Sequence, residues 1–190
     1  MKQVFSLIVF TICIVANTTA QTATATVPPI DKSPMDMCTY PAGYPLLKIQ
    51  DKATEPLVAR VIYSRPLKNN RVIFGELLEY NTVWRFGANE NTEIEFFKDV
   101  TINKTKIKKG KYSLFAIPTK EKWTIIINKD LNSWGSFKYE ASKDVLRVDV
   151  PVQKSTEIAE AFYIYLDKFQ NGFSMNAGWD DVKISLPILM

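Results

Sequence analysis

Apolar and polar residues alternate in short runs along most of this chain. In "PLVARVIYS" (Pro56 to Ser64), Leu57, Ala59, Val61 and Tyr63 fall on one side of an extended backbone and Val58, Arg60 and Ile62 on the other. "TEIEFF" sets Ile94 and Phe96 against Glu93 and Glu95, and "VTIN", "GKYSLFAIP", "KWTIIIN", "DVLRVDVPV", "FSMNAGW" and "DVKISLPIL" continue in short apolar runs. A period of two is what a strand with one buried face requires. "IAEAFYIYLDKF" is the one run that competes as a helix, but its aromatic and β-branched content and the alternation of Phe162, Ile164 and Leu166 favour a strand. About nine such runs separated by turn signals, without amphipathic helices long enough to act as crossovers, predict an all-β antiparallel β-sandwich, with a jelly roll as its subtype.

Two N-terminal stretches depart from the pattern. After Lys2 comes an apolar run from Val4 to Ala16, thirteen residues long, followed by "NTTAQ". It is shorter than the roughly 20 residues a membrane-spanning helix needs and fits the apolar region of a signal peptide. Thr18 and Ala20 are small residues suited to a cut before Gln21. Residues 1–20 are therefore expected to be removed on export to the periplasm or beyond, leaving no membrane span. Residues 21–45 hold five of the ten prolines and read as an extended leader. Residues 46–190 then form one β-sandwich domain, and a mature chain of 170 residues is long enough to bury a sizeable core.

Composition narrows the chemistry. The chain contains no histidine. That excludes catalytic devices built on imidazole and the commonest transition-metal sites, so neither a cofactor nor a metal is expected. Removing residues 1–20 takes away Cys13 and Lys2, leaving Cys38 without an intrachain partner and 23 basic against 20 acidic residues. A formal charge of +3 is too small to imply a nucleic-acid partner. The one basic cluster, "NKTKIKKGK" (Asn103 to Lys111), reads as a solvated hairpin whose lysines discourage edge pairing.

Polar hardware gathers in "VWRFGANENTEIEF" (Val83 to Phe96). The chain has 19 lysines but five arginines, and four of these, Arg60, Arg65, Arg71 and Arg85, lie within 26 residues. A guanidinium is a planar fork that binds carboxylate or phosphate bidentately and stacks on rings, as an ammonium does not. Strands adjacent in sequence usually lie side by side, so Arg65, Arg71 and Arg85 are expected to converge with Asn89 and Glu90 around one concavity. Trp84 and Trp134 are the candidate stacking surfaces, whereas Trp123, inside an apolar strand, belongs to the core.

The segments "YSRP", "RVIFGELLEYNTVWRFGANENTEIEF", "GKYSLFAIP", "WTIIINKDLNSWGSFKY" and "DVLRVDV" together resemble a family of secreted bacterial proteins catalogued as domain of unknown function 2911. The resemblance runs from about Ser33 to Ile188 and implies an exported, single-domain β-rich protein without naming a ligand. It also implies a small polar residue where Phe86 stands here, so this chain's loop is the more apolar. Three classes of function stay open. The first is a non-catalytic binding module for a small polar or anionic ligand or a carbohydrate. The second is a structural or interaction protein of the envelope. The third is a carboxylate hydrolase such as a glycosidase, in which Glu93 and Glu95 would share a strand face.

Overall fold

The computed structural model describes residues 27–190. The expected signal peptide, and the leader as far as Thr26, lie outside the described residues. The strands are β1 (Met35–Tyr40), β2 (Ala59–Ser64), β3 (Thr92–Phe96), β4 (Val100–Ile102), β5 (Thr105–Ile107), β6 (Gly110–Pro118), β7 (Lys122–Asn128), β8 (Asp144–Pro151), β9 (Gln153–Phe169) and β10 (Gly172–Leu189). One short helix, α1 (Tyr44–Ile49), follows β1. A six-stranded sheet in the order β1-β2-β3-β6-β7-β8 faces a four-stranded sheet in the order β5-β4-β10-β9, with antiparallel pairing between the strands. The protein is thus an all-β antiparallel sandwich. Its first sheet is an up-and-down meander, broken only where the β4–β5 hairpin crosses to the other side, and it lacks the paired Greek keys of a jelly roll.

The alternation read from sequence is the alternation of burial. Val61 and Tyr63 of β2, Ile94 and Phe96 of β3, Trp123, Ile125 and Ile127 of β7, and Leu146, Val148 and Val150 of β8 point into one core. Phe162, Ile164 and Leu166 of β9 meet them from the second sheet. In β10 the buried apolar side chains are odd-numbered from Phe173 to Trp179 and even-numbered from Val182 to Ile188. Such a change of phase needs an irregularity, and it is found at Asp180, where φ is 55° and the register shifts on both sides. An extended strand of this length would run roughly 60 Å, yet the Met190 N–H donates to the Asn171 carbonyl at 3.1 Å. β10 therefore doubles back at Asp180, which is why the sequence reads as two strands there.

The leader ends earlier than residue 45. Met35–Tyr40 pairs antiparallel with β2 from Met35↔Ser64 to Tyr40↔Ala59 and forms an edge of the six-stranded sheet. The prolines on either side of it and its polar residues hid a strand that needs only one pairing partner. The lysine-rich run is the β4–β5 hairpin, turning at Asn103 and Lys104 with φ of 45° and 66°, and Lys106 and Lys108 both pair with Asp99.

The edge formed by β1 and β2 meets β9 of the second sheet partly through polar groups. Tyr63 Oη donates to the Ile164 carbonyl at 3.0 Å, and burial pushes this phenol up from 10.0 to about 12. Burial, assisted by Asp36, likewise pushes the Cys38 thiol up from 9.0 to about 12. Both groups bind protons more tightly folded than unfolded, so stability is unaffected below about pH 9 and falls as pH rises from there toward 12. Denaturant midpoints are expected to hold between pH 7 and about 9 and to drop steadily toward about 11. Equal midpoints across that whole alkaline range would contradict the assignment.

Candidate functional site

The lane beside β6 is filled by two pieces of chain. β3 pairs with β6 only from Gly110 to Leu114. Above it, the Asn81 N–H donates to the Pro118 carbonyl at 3.0 Å, and Trp84 and Ala116 exchange bonds of 2.8 and 2.9 Å. The chain then kinks at Phe86 and Asn89, whose φ values are 55° and 57°. Gly87 makes the kink possible, because a Cβ there would sit 3.0 Å from Thr92 Oγ1 and 3.2 Å from the Ser64 carbonyl. This is the physical reason for "WRFGANE": a strand end anchored by Trp84 and Phe86, then a turn where a side chain would press on Thr92 and the Ser64 carbonyl.

Trp84 and Phe86 are buried, and the indole Nε1–H donates to the Gly87 carbonyl at 2.9 Å. Arg85 between them is half-buried. Its Nε is buried without a hydrogen-bond partner, and among the described residues the guanidinium makes no ion pair. Burial pulls its pKa below the ordinary arginine value, which still leaves it charged at neutral pH. Arg85 lines a hollow of about 390 Å³ together with Arg71, Asn89, Ser33, Trp84 and Trp179. It also lines a smaller hollow of about 240 Å³, whose wall carries Glu76 and Glu79.

Arg71 reaches the rim with part of its fork already engaged, as its Nε donates to the Lys68 carbonyl at 3.0 Å and its Nη2 to that of Leu67. Lys68 is in turn held by Asp180 at 2.5 Å. The Asn89 amide donates to Asp31 Oδ1 at 3.0 Å, so the segment ahead of β1 forms part of the same rim.

The expected gathering of five residues is split. The structure brings Arg71, Arg85, Asn89 and Trp84 to one hollow. Arg65 faces elsewhere, its Nη1 on Asp36 and its Nε donating to the Phe162 carbonyl, both close to 3 Å (3.0 and 3.1 Å). Asp36 lies in the stretch read as leader, so the sequence offered no carboxylate for this arginine. Glu90 and Trp134 line a different hollow of about 400 Å³, with Met35, Ile62, Glu93 and Asn132. Glu90 is hence no partner of the arginines. Glu95 is taken by Arg60, leaving Glu93 as the unpaired member of that alternating pair. Ser33 and Trp179 are not among the residues the sequence singles out for a site, since nothing local marks either as a ligand contact and they arrive from opposite ends of the chain. Among the described residues, no group of three acidic or cysteine side chains is placed to hold a metal ion, and no helix is long and apolar enough to cross a membrane.

A family model described as "Protein of unknown function (DUF2911)" matches residues 47–188, a span that includes Arg71, Arg85 and Asn89 but not β1. No curated protein and no solved structure matches the chain.

Proposed function

The chain belongs to the DUF2911 family, whose description assigns no activity, and from the geometry of the Arg85 hollow we propose that it is an exported, non-catalytic binding module for a small anionic ligand. The apolar run from Val4 to Ala16 supports export. The observation that carries the binding role is the half-buried guanidinium of Arg85, facing a hollow without a partner for its Nε. Removing a charge from water and leaving it unpaired is destabilising, and perturbed groups of this kind cluster at functional sites. A volume of about 390 Å³ lies in the range of small-molecule sites. The Arg71 and Asn89 side chains add donors to the rim, and Trp84 and Trp179 supply an apolar wall. Carboxylate or phosphate oxygens satisfy this set of donors, and the arginines, asparagine and Ser33 bind such oxygens without needing to move a proton.

Inorganic phosphate, succinate and citrate serve as probes in calorimetric titration and thermal melting of the mature chain. At least one is expected to bind and raise the melting temperature. Arg85→Lys should weaken that binding at least tenfold, because an ammonium cannot reproduce the fork. The ligand-free variant should melt within about 2 °C of the parent, since no internal bond is lost. Failure of all three probes would defeat the proposal. So would a variant that melts many degrees lower while binding is intact, which would make Arg85 structural.

A further inference from the structure

The connection between β7 and β8 folds back over the outer face of the six-stranded sheet and is fixed there. The Tyr139 ring packs edge-on against Phe115 with centroids 5.1 Å apart, and its hydroxyl donates to Asp144 at 2.6 Å. Lys143 pairs with Asp130 at 2.8 Å. The stretch after Arg85 forms a short ladder with it: Asn91 N–H donates to the Ser133 carbonyl at 3.0 Å, and Gly135 N–H to the Asn89 carbonyl at 2.9 Å. The Asn91 side chain adds a bond from the Ser133 N–H at 2.8 Å. On this held backbone Trp134 is 61 % exposed and Phe137 83 % exposed.

Trp134 is a wall shared by two hollows. One, of about 400 Å³, carries the Glu90 and Glu93 carboxylates beside Met35 and Ile62. The other, of about 430 Å³, carries Asp130, Phe137 and Lys138. Asn132 and Ser133 line both. Among the described residues neither Glu90 nor Glu93 makes an ion pair, and Ser133 Oγ is buried without a hydrogen-bond partner. The combination is an exposed indole face bordered on one side by two carboxylates that no cation in the described protein engages, and on the other by Phe137, Lys138 and an Asp130 already held by Lys143.

A pyranose ring has the matching surface, with an apolar face of C–H groups and an edge of hydroxyl donors. Rings joined in a chain repeat that surface on both sides of one indole. We infer that Trp134 is the centre of a second binding site, independent of Arg85, that takes an uncharged oligosaccharide lying across the indole with rings in both hollows. Glu90 and Glu93 repel an anionic chain. A small organic cation would occupy the first hollow alone and leave Phe137 and the second uncovered. An apolar protein surface would strip water from two carboxylates without replacing their hydrogen bonds.

Cellotetraose, chitotetraose and maltotetraose, with their disaccharides, are titrated into the mature chain by calorimetry. One tetrasaccharide is expected to bind at least tenfold more tightly than its disaccharide. Trp134→Ala should weaken it at least tenfold without lowering the melting temperature, because the indole is exposed. Phe137→Ala should weaken the tetrasaccharide and spare the disaccharide, whereas Arg85→Lys should change neither. Three results would overturn the inference: no tetrasaccharide binding, binding indifferent to Trp134→Ala, or tetramethylammonium binding at Trp134 in place of the sugars. Loss of phosphate, succinate and citrate binding has no bearing on these outcomes, so the two sites stand or fall separately.

Discussion

Replacing Gly172 by alanine is expected to destabilise the protein by about 3 kcal/mol or more, the upper range for forcing atoms into a packed interior. A Cβ at this position would lie 2.0 Å from the Ile188 carbonyl oxygen and 2.9 Å from Leu189 Cα. Both obstacles are backbone, so no rotamer change relieves them. They stand there because β10 doubles back at Asp180 and brings its last residues beside its first, and the same end of β10 also pairs with β4 through Leu189↔Thr101. Moving Ile188 away therefore disturbs the bond between β10 and the β4–β5 hairpin as well as the doubled strand. At about 2–4 °C per kcal/mol for a domain of this size, the melting temperature should fall by roughly 6–12 °C. Gly43→Ala is the contrasting variant. Its φ of 64° disfavours alanine, but a Cβ would meet nothing within 4 Å, and a loss near 1 kcal/mol is expected. Denaturant unfolding of the two variants measures the difference, and a Gly172→Ala protein within about 1 kcal/mol of the parent would mean that the doubled strand opens without resistance.

Trp84→Ala should cost about 3–5 kcal/mol, the range for truncating a buried large aromatic. The indole lies 5.0 Å from Phe162, 5.5 Å from Phe86, 5.8 Å from Trp123 and 6.2 Å from Trp179, centroid to centroid. These rings come from β7, β9, β10 and the loop before β3, so removing Trp84 opens a cavity where both sheets and the loop meet. The Gly87 carbonyl also loses the 2.9 Å bond that holds the kink beneath Arg85. Anion binding should weaken together with stability, unlike in Arg85→Lys, where binding alone is lost. Trp134→Ala, with an exposed indole, should change unfolding free energy by no more than about 0.5 kcal/mol. Similar losses in the two tryptophan variants would contradict the division of one into core and the other into surface.

That division was not available from the sequence, where "VWRFG" and "NSWGSF" each present a tryptophan near a glycine. Local pattern reports which residues share a strand face. It does not report whether another layer covers that face. Trp84 is covered because its strand end stands above β3, in the lane where β9 and β10 face it across the sandwich. Trp134 stays open because its loop lies on the outer side of the six-stranded sheet, where no second layer follows. The same limit applies to the arginines. Their scarcity and crowding were legible, as was the tight turn at Gly87, yet Arg65 is tied to Asp36 by a strand that the prolines on either side of it disguised.

Alternation with a period of two, few helix signals and closely spaced turns were enough to determine an all-β sandwich, because each face of a strand has one environment and its residues must match it. The same pattern located the strands of β10 as two runs, separated at the residue where the chain reverses. Order within the sheets, the crossing of the β4–β5 hairpin and the pairing of β1 were decided only in three dimensions, since backbone hydrogen bonds are alike for every partner and carry no label in the sequence. The hollows depend still more on that arrangement. Ser33, Asn89 and Trp179 line one of them, and Met35, Glu93 and Trp134 another. Residues so far apart in the chain acquire a common environment only when packing of the two sheets has fixed where every loop must end.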